Sequence, residues 1–257
     1  KGEHRLNIKW IKAAVPVAVI LLTAVILLAS ITIISSKPKS NMISWFEADI
    51  DNDNNNELLI ITTTAPDMTL DTGESYGDYI KLYSDYKIVN NKPILKKNHE
   101  PDYAFDLSEI KPLKIQAGDI NGDGVTELAV CVYKTAEFHP VLAKRPFFYD
   151  ITDGELEPIW LGSRLARPFL DYILFDVDQD DIDEIISIEL MENKNKVIVV
   201  YDWKGFGFEV KTLSDELEGE IAFLTNINCR DDSILVEIEG EKYQLDLDDN
   251  RILLSIY

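Results

Sequence analysis

Cysteine is scarce in this sequence, which has two among 257 residues, Cys131 and Cys229. A disulfide-rich scaffold is therefore excluded, since such small domains depend on several bridges. Residues 41–257 are numerous enough to bury a core without covalent cross-links. The two cysteines either form one disulfide or, as we favour, remain a buried thiol in a strand (Cys131) and a loop thiol (Cys229).

Positive charge is also in short supply. The chain has 25 lysines and arginines against 46 aspartates and glutamates, a formal net charge of −21. The first forty positions hold 6 basic residues and 1 acidic residue, which leaves 19 basic and 45 acidic residues, or −26, in residues 41–257. So acidic a region repels nucleic acid and anionic lipid, and we expect no nucleic-acid partner.

Signals for catalysis are missing as well. There are three histidines, His4, His99 and His139, and no G-x-S-x-G, H-E-x-x-H, P-loop or G-x-G-x-x-G motif. Glycosidases use a pair of carboxylates, but a sequence with 46 of them does not single one out. We therefore expect no catalytic residues and favour a non-enzyme over a glycan-active enzyme.

Carboxylate is abundant, and three short segments arrange it in one pattern. Each has oxygen-bearing side chains at positions 1, 3, 5 and 9 and then enters an apolar run. Carboxylates crowded in this way repel one another unless a cation lies among them, and hard oxygen ligands of this number suit Ca²⁺. We predict up to three Ca²⁺ sites with the side-chain ligands Asp49, Asp51, Asp53 and Glu57; Asp119, Asn121, Asp123 and Glu127; and Asp176, Asp178, Asp180 and Glu184. The backbone carbonyls of Asn55, Val125 and Ile182 are predicted to complete the three shells.

The spacing excludes an EF-hand, which needs a glutamate at position 12 and a following helix. Ile60, Val130 and Ser187 occupy position 12, and the apolar residues after position 9 predict a buried strand. The residue types at position 6 all tolerate a left-handed backbone: Asn54, Gly124 and Asp181. A metal-free Asx-rich turn is the alternative, but three copies at the same offsets favour Ca²⁺.

The pattern D-x-[DN]-x-D-x-x-x-[DE] followed by an apolar strand resembles the FG-GAP/VCBS repeat, the calcium-bearing blade of integrin α-chain propellers and of many bacterial surface proteins. The resemblance covers about nine to twelve residues in each copy. Copies two and three fit well, whereas the first has Asn54 where the family prefers glycine. The resemblance implies a β-propeller of four-stranded blades whose calcium loops serve the structure, with function elsewhere on the surface.

Strand-like runs joined by turn residues repeat four times and predict hairpins in the segments 82–94, 148–156, 200–208 and 244–252. A fourth loop, 226–234, keeps the frame but has Arg230 at position 5 and Ile234 at position 9, so we predict no metal there. With the resemblance, these repeats predict an all-β fold, most simply a four-bladed β-propeller over residues 42–257. A partial ring completed by a partner is the alternative.

The N-terminal part has a different character. Residues 13–34 contain no charge and are long enough to cross a bilayer as one transmembrane helix. More basic residues precede this segment than follow it, which favours a cytoplasmic tail at 1–12, a single-pass anchor in the cell membrane, a linker at 35–41 and an extracytoplasmic propeller. A cleaved signal peptide is the alternative.

Two segments are candidates for partner binding. The first is a polar insertion at 65–78, which includes Asp71 and Tyr76. Its alternative interpretation is a mobile loop tip. The second contains Arg164 and Arg167, two arginines close together in an acidic region. They either form ion pairs inside the propeller or face a carboxylated or phosphorylated partner.

Together these features favour a membrane-anchored, calcium-binding interaction or scaffold module with a protein partner in the cell envelope, such as an accessory subunit of an envelope complex. The alternative is a surface domain that binds or processes polysaccharide, with a glycan as its ligand. Exposed aromatic residues beside acidic groups would favour the glycan. An apolar patch, or exposed Arg164 and Arg167, would favour the protein partner.

Overall fold

Four antiparallel sheets, each of four strands, form the fold. We call them blades 1 to 4 and number the strands in chain order. Blade 1 contains β1 (Asn41–Ala48), β2 (Glu57–Thr63), β3 (Tyr79–Tyr83) and β6 (Tyr103–Asp106), and a separate hairpin contains β4 (Tyr86–Ile88) and β5 (Pro93–Leu95). Blade 2 contains β7 (Pro112–Gly118), β8 (Glu127–Ala136), β9 (His139–Thr152) and β10 (Glu155–Leu161). Blade 3 contains β11 (Phe169–Phe175), β12 (Glu184–Leu190), β13 (Lys196–Trp203) and β14 (Phe208–Leu213). Blade 4 contains β15 (Ile221–Phe223), β16 (Ile234–Ile238), β17 (Glu241–Asp248) and β18 (Arg251–Ile256).

This computed structural model describes residues 41–257 except 66, 98, 163, 225–232 and 250. The predicted tail (1–12) and transmembrane segment (13–34), and all of the predicted linker but Asn41, lie outside the described residues. Within the described part, no helix is long and apolar enough to cross a membrane. The predicted all-β, four-bladed propeller is confirmed.

The second strands of blades 1 to 3 are the apolar runs that follow the acidic loops. All seven residues of β2 are buried, as are the first six residues of both β8 and β12. Strands with neighbours on both sides and packing on both faces need apolar residues throughout, and isoleucine, leucine and valine meet this need. The acidic loops are therefore anchored to the most buried strands of their blades.

Three buried clusters join consecutive blades. Leu128 and Val130 of β8 lie in a cluster shared with blade 1, whereas Ala129 and Cys131 of the same strand lie in a cluster shared with blade 3. This alternation follows from side chains pointing to opposite faces of a strand. A third cluster joins blades 3 and 4. Among the described residues, no buried cluster joins blade 4 to blade 1.

The remaining face of blade 1 is covered by the β4–β5 hairpin. Trp45, Leu58 and Ile60 lie in a fourth cluster, against which Ile88 and Leu95 of the hairpin pack. The predicted hairpin segment 82–94 covers the end of β3 and most of this hairpin, while the fourth strand of blade 1 is β6, which lies outside that segment. The turn chemistry is nevertheless that of a hairpin, since Asn90 and Asn91 have φ of 51° and 56°.

The other three predicted hairpins are the outer strand pairs of their blades, β9–β10, β13–β14 and β17–β18. In the first of these, Asp153 and Gly154 both have positive φ, as a two-residue turn between twisted strands requires. The long first interval between acidic loops thus has two causes, the 65–78 insertion and the inserted β4–β5 hairpin.

Cys131 is a free thiol in β8, as predicted, and its burial raises its pKa to about 12. A thiol so protonated is a small apolar side chain at neutral pH, so its role here is packing. Cys229 lies outside the described residues.

Candidate functional site

Each predicted calcium loop joins the first strand of a blade to its second. Loop 1 (49–56) follows β1, loop 2 (119–126) follows β7, and loop 3 (176–183) follows β11. The position-9 glutamates are the first residues of the buried strands that follow. The fourth predicted loop has Ile234 at this place, buried in blade 4, while its other predicted residue, Arg230, lies outside the described residues. An isoleucine offers no ligand oxygen.

The position-9 carboxylate closes each loop in the same way. One oxygen accepts a hydrogen bond from the position-2 backbone amide, at 3.0 Å in loop 1, 2.9 Å in loop 2 and 3.0 Å in loop 3. The glutamates concerned are at most 8% exposed: Glu57, Glu127 and Glu184. Glu127 and Glu184 also belong to the acidic clusters of their loops, whereas Glu57 lies outside the loop-1 cluster.

Two further contacts repeat in every loop. The carboxylate of the position-1 aspartate accepts a hydrogen bond from the position-6 backbone amide, with N–O distances of 2.8–3.0 Å. The carboxylate of the position-5 aspartate accepts one from the position-7 backbone amide, also at 2.8–3.0 Å. The position-7 residues, Asn55, Val125 and Ile182, thus lie beside the cluster through their amides, and the role of their carbonyls stays a prediction.

The loop backbone is left-handed at positions 4 and 6. Position 6 was predicted. The left-handed backbone at position 4 was not predicted. Loops 1 and 2 have Asn52 and Gly122 there, residue types that favour this conformation, whereas Gln179 of loop 3 gives no such indication.

The carboxylates converge in three clusters whose ligand oxygens lie within 4.8 Å of one another. The clusters contain Asp49, Asp51 and Asp53; Asp119, Asp123 and Glu127; and Asp176, Asp178 and Glu184. The predicted ligands Glu57 and Asp180 are outside these sets, and the side chain of Asn121 donates to Glu127 and accepts the Asp123 amide. The three clusters could each hold a metal ion.

The electrostatics of the glutamates differ among the loops. The pKa of Glu127 is raised to about 7, mainly by burial and in smaller part by the negative charges of Asp119 and Asp123. Burial and the loop-1 aspartates also raise the pKa of Glu57. The pKa of Glu184 is also raised to about 7, mainly by burial and in spite of the opposing effect of a nearby lysine. Accumulated negative charge of this kind is what a bound cation relieves.

That lysine is Lys211 of β14. Its ammonium lies 2.5 Å from Asp178, 2.8 Å from Glu184 and 3.0 Å from Asp202. The side chain is 11% exposed. Sequence reasoning missed it because β14 is about thirty positions away from the loop it contacts.

The loops also contact one another at one end of the blades. Asn52 of loop 1 donates its side-chain amide to the Gly124 carbonyl of loop 2 at 3.1 Å. Asp183 of loop 3 donates its backbone amide to the Asp119 carbonyl at 2.7 Å. The conformation of each of these loops is therefore coupled directly to that of its neighbour.

The opposite end of blades 2 and 3 contains a cleft of 490 Å³, here called the end cleft. Strand β11 begins at the cleft and ends at loop 3, so its seven residues separate the two by about 20 Å. Both predicted partner segments contribute to the lining, together with β9 and β11: Thr72, Glu74, Tyr133, His139, Val141, Leu142, Ala143, Lys144, Arg164, Arg167, Pro168, Phe169 and Leu170. Two other predicted residues do not line it: Asp71 is exposed, and the ring of Tyr76 lies 5.3 Å from the Lys111 ammonium.

The cations of the end cleft differ in their pairing. Lys144 forms an ion pair with Glu74 at 2.6 Å and donates to the Leu170 carbonyl at 2.7 Å. Arg167 contacts the buried carboxylate of Glu189 at 3.4 Å. Arg164 is exposed and has no hydrogen bond or ion pair within the described part of the chain. Of the two predicted arginines, one is therefore paired and one is available.

A buried arginine shapes one wall of the cleft. Arg145 has no exposed surface and donates to the carbonyls of Lys134, His139 and Val141 at 2.7–3.0 Å. These bonds tie the end of β8 to the start of β9, the strand that contributes Val141 and Leu142 to the cleft. Nothing in the sequence marks Arg145 as buried, since a charged residue in a strand more often faces solvent.

Comparisons with known proteins give the following. No family model and no curated protein sequence matches this chain. Among solved structures, the chain is similar to Bacillus licheniformis rhamnogalacturonan lyase PL11, with 11% sequence identity and a TM-score of 0.42. That similarity covers 81% of this chain and 47% of the lyase chain, so this chain spans about half of the lyase's length.

Proposed function

We propose that this chain is a non-catalytic interaction module of the cell envelope. In this proposal, it is a calcium-binding propeller of the FG-GAP/VCBS type, anchored in the cell membrane by residues 13–34 with its N-terminus in the cytoplasm. Calcium stabilises the acidic end of the blades, and the end cleft binds a protein partner. The contrast between an acidic molecule and a cationic cleft is the observation that carries the proposal.

The chemistry of the end cleft favours an acidic protein segment that also carries apolar side chains. Arg164 has no hydrogen bond or ion pair to any described residue, although residues 41–257 have a net charge of −26. Val141 and Leu142 are each 55% exposed, and Leu170 is 37% exposed. An arginine presents a planar set of donors that matches a carboxylate, while exposed apolar side chains of this kind gain free energy when a partner covers them. The apolar patch and the exposed Arg164 are the features expected of a protein-binding face.

Calcium at the opposite end would serve the scaffold. The three clusters offer carboxylate oxygens, which Ca²⁺ prefers, and in loops 2 and 3 the position-9 glutamate that accepts the position-2 amide also belongs to the cluster. A cation bound only to the folded chain stabilises it. Since these loops lead directly into the most buried strands of their blades, the gain extends to the interblade cores.

Charge reversal of Arg164 tests the partner surface. The full chain and its Arg164→Glu variant would be used to capture proteins from solubilised envelope, with mass spectrometry as the readout. Arg251→Glu makes the same charge change at an exposed arginine of blade 4 and is the matched control. A protein captured by the wild type and Arg251→Glu, and lost with Arg164→Glu at an unchanged melting temperature, supports the proposal. Equal capture by all three contradicts it.

Arg167 is unsuitable for this test, because reversing its charge would place a carboxylate beside the buried Glu189. The polysaccharide alternative is an outcome of the same design. Binding of an acidic polysaccharide that is lost with Arg164→Glu would assign the cleft to a glycan, and hydrolysis or lysis of that glycan by the pure chain would overturn the non-catalytic assignment.

A further inference from the structure

The cation of loop 3 is the feature that separates the three acidic clusters. Lys211 places its ammonium between Asp178 at position 3 and Glu184 at position 9, and it also contacts Asp202 of β13. No lysine or arginine forms an ion pair with loops 1 or 2 within the described part of the chain. We infer that loop 3 holds Lys211 as a built-in cation, and that loops 1 and 2 alone bind divalent metal.

Strand register explains why blade 3 has this cation and blade 2 does not. In blade 3, Val210 pairs with Tyr201 and Thr212 pairs with Val200, so Lys211 is the extra residue of a bulge. Blade 2 has a bulge in the same place, between Pro158 and Trp160. The residue at that bulge is Ile159.

The two bulges are equivalent because the adjacent strands pair in the same way. Tyr201 pairs with Ile185, and Tyr149 of blade 2 pairs with Leu128; each partner directly follows a position-9 glutamate. Ile159 packs against the apolar cluster between blades 2 and 3. The residue at this bulge therefore determines whether the acidic loop contains an ammonium group: Lys211 supplies one in blade 3, and Ile159 does not in blade 2.

Geometry also favours the lysine over a metal ion. The Lys211 side chain is 11% exposed and contacts three carboxylates, so it is well neutralised where it lies. A divalent ion in loop 3 would displace the ammonium from two of these partners and leave both cations close together. Breaking a buried ion pair is costly, and we expect loop 3 to bind Ca²⁺ about 100-fold more weakly than loops 1 and 2.

Calcium stoichiometry of the purified full chain, measured by titration calorimetry, tests this inference, which rests on the proposed calcium sites of loops 1 and 2. The wild type should bind two ions. Lys211→Met keeps the apolar stem, removes the charge and should bind three. Lys204→Met is the matched control, because Lys204 pairs with Asp202 at 2.8 Å, and it should bind two.

Two loop variants make the result independent of whether Lys211→Met folds. Asp178→Asn should leave the wild-type stoichiometry at two, whereas Asp123→Asn should lower it to one. Three ions on the wild type with one lost in Asp178→Asn would overturn the inference, as would a folded Lys211→Met that still binds two.

If the wild type binds no calcium, the proposed calcium binding by loops 1 and 2 is wrong. Lys211→Met then decides the inference about loop 3: binding of one ion supports it, and binding of none overturns it.

Discussion

The hydroxyl of Tyr201 donates a hydrogen bond to the carboxylate of Glu189, which has no exposed surface. Ser187 donates to the same carboxylate at 3.1 Å and Arg167 at 3.4 Å. Burial raises the pKa of Glu189, and these three donors lower it. Arg167 therefore supports the interior of blade 3 from the edge of the end cleft, while Arg164 remains available for a ligand.

Replacing Arg167 by methionine is expected to destabilise the chain more at high pH than at low pH. Loss of the guanidinium leaves a buried carboxylate with fewer partners, which costs about 1–3 kcal/mol when it is ionised. The pKa of Glu189 in the folded state is already above its unfolded value and would rise further. Below that folded pKa the carboxyl is protonated and the cost disappears, so urea unfolding at pH 8 and at pH 5.5 should give a larger loss at pH 8.

Two variants control this experiment. Arg164→Met removes the neighbouring exposed arginine and should change the free energy of unfolding by less than about 0.5 kcal/mol at either pH. In Arg167→Met combined with Glu189→Gln, the extra loss at pH 8 should vanish. A loss that is equal at both pH values in Arg167→Met would show that packing, and not the Glu189 charge, is responsible.

Removal of calcium is expected to lower the melting temperature. An ion present at a hundred times its dissociation constant stabilises the folded state by about 2.7 kcal/mol for each site. Asp123→Ala should remove the loop-2 share of this stabilisation and leave the rest. Calorimetric melting with calcium and with chelator gives both quantities.

Asp215→Ala is the matched control, since Asp215 is exposed and lies outside the acidic loops. Its response to chelator should equal that of the wild type. An unchanged melting curve of the wild type in chelator would count against calcium in all of the loops.

Local repetition is what made the acidic loops predictable. The same spacing in three places revealed the position-9 glutamates, the left-handed position 6 and the buried strand that follows, since each depends on residues close together in the chain. Position 12 excluded the EF-hand for the same reason. The Asp-Gly turn at Asp153 and Gly154 was equally local.

Contacts between distant residues were not predictable in this way. Lys211 reaches a loop about thirty positions earlier, and its neighbours in the sequence do not indicate where its ammonium lies. The β4–β5 hairpin has correct turn residues, yet only the competition with β6 for the edge of β3 decides which strand completes blade 1. The end cleft was not predictable either, because Glu74 and Arg164 lie far apart in the sequence and both line it. The sequence had indicated their two segments only as separate candidates for partner binding.

Gly154 should tolerate alanine less well than Gly205. Both glycines have positive φ, 80° and 83°, which disfavours a side chain by about 1–2 kcal/mol. A Cβ at Gly154 would also lie 2.7 Å from the ring of Tyr103 in blade 1, whereas one at Gly205 would meet nothing within 4 Å. Gly154→Ala should therefore show the larger loss in urea unfolding, and equal losses would mean that Tyr103 moves aside at no cost.

The topology predicted for the chain can be tested on cells that express it. Residues 13–34 are expected to form one uncleaved transmembrane helix with the propeller outside the cytoplasm. Protease added to intact cells or spheroplasts should then digest the propeller and spare an epitope tag placed in the 1–12 tail. The calcium sites depend on this result, because exposed loops of modest affinity fill at the millimolar calcium found outside cells and stay empty at cytosolic levels. A propeller protected from protease would reverse the topology, and calcium would then be excluded as the physiological cation of loops 1 and 2 unless their affinity proved far higher than that of extracellular modules.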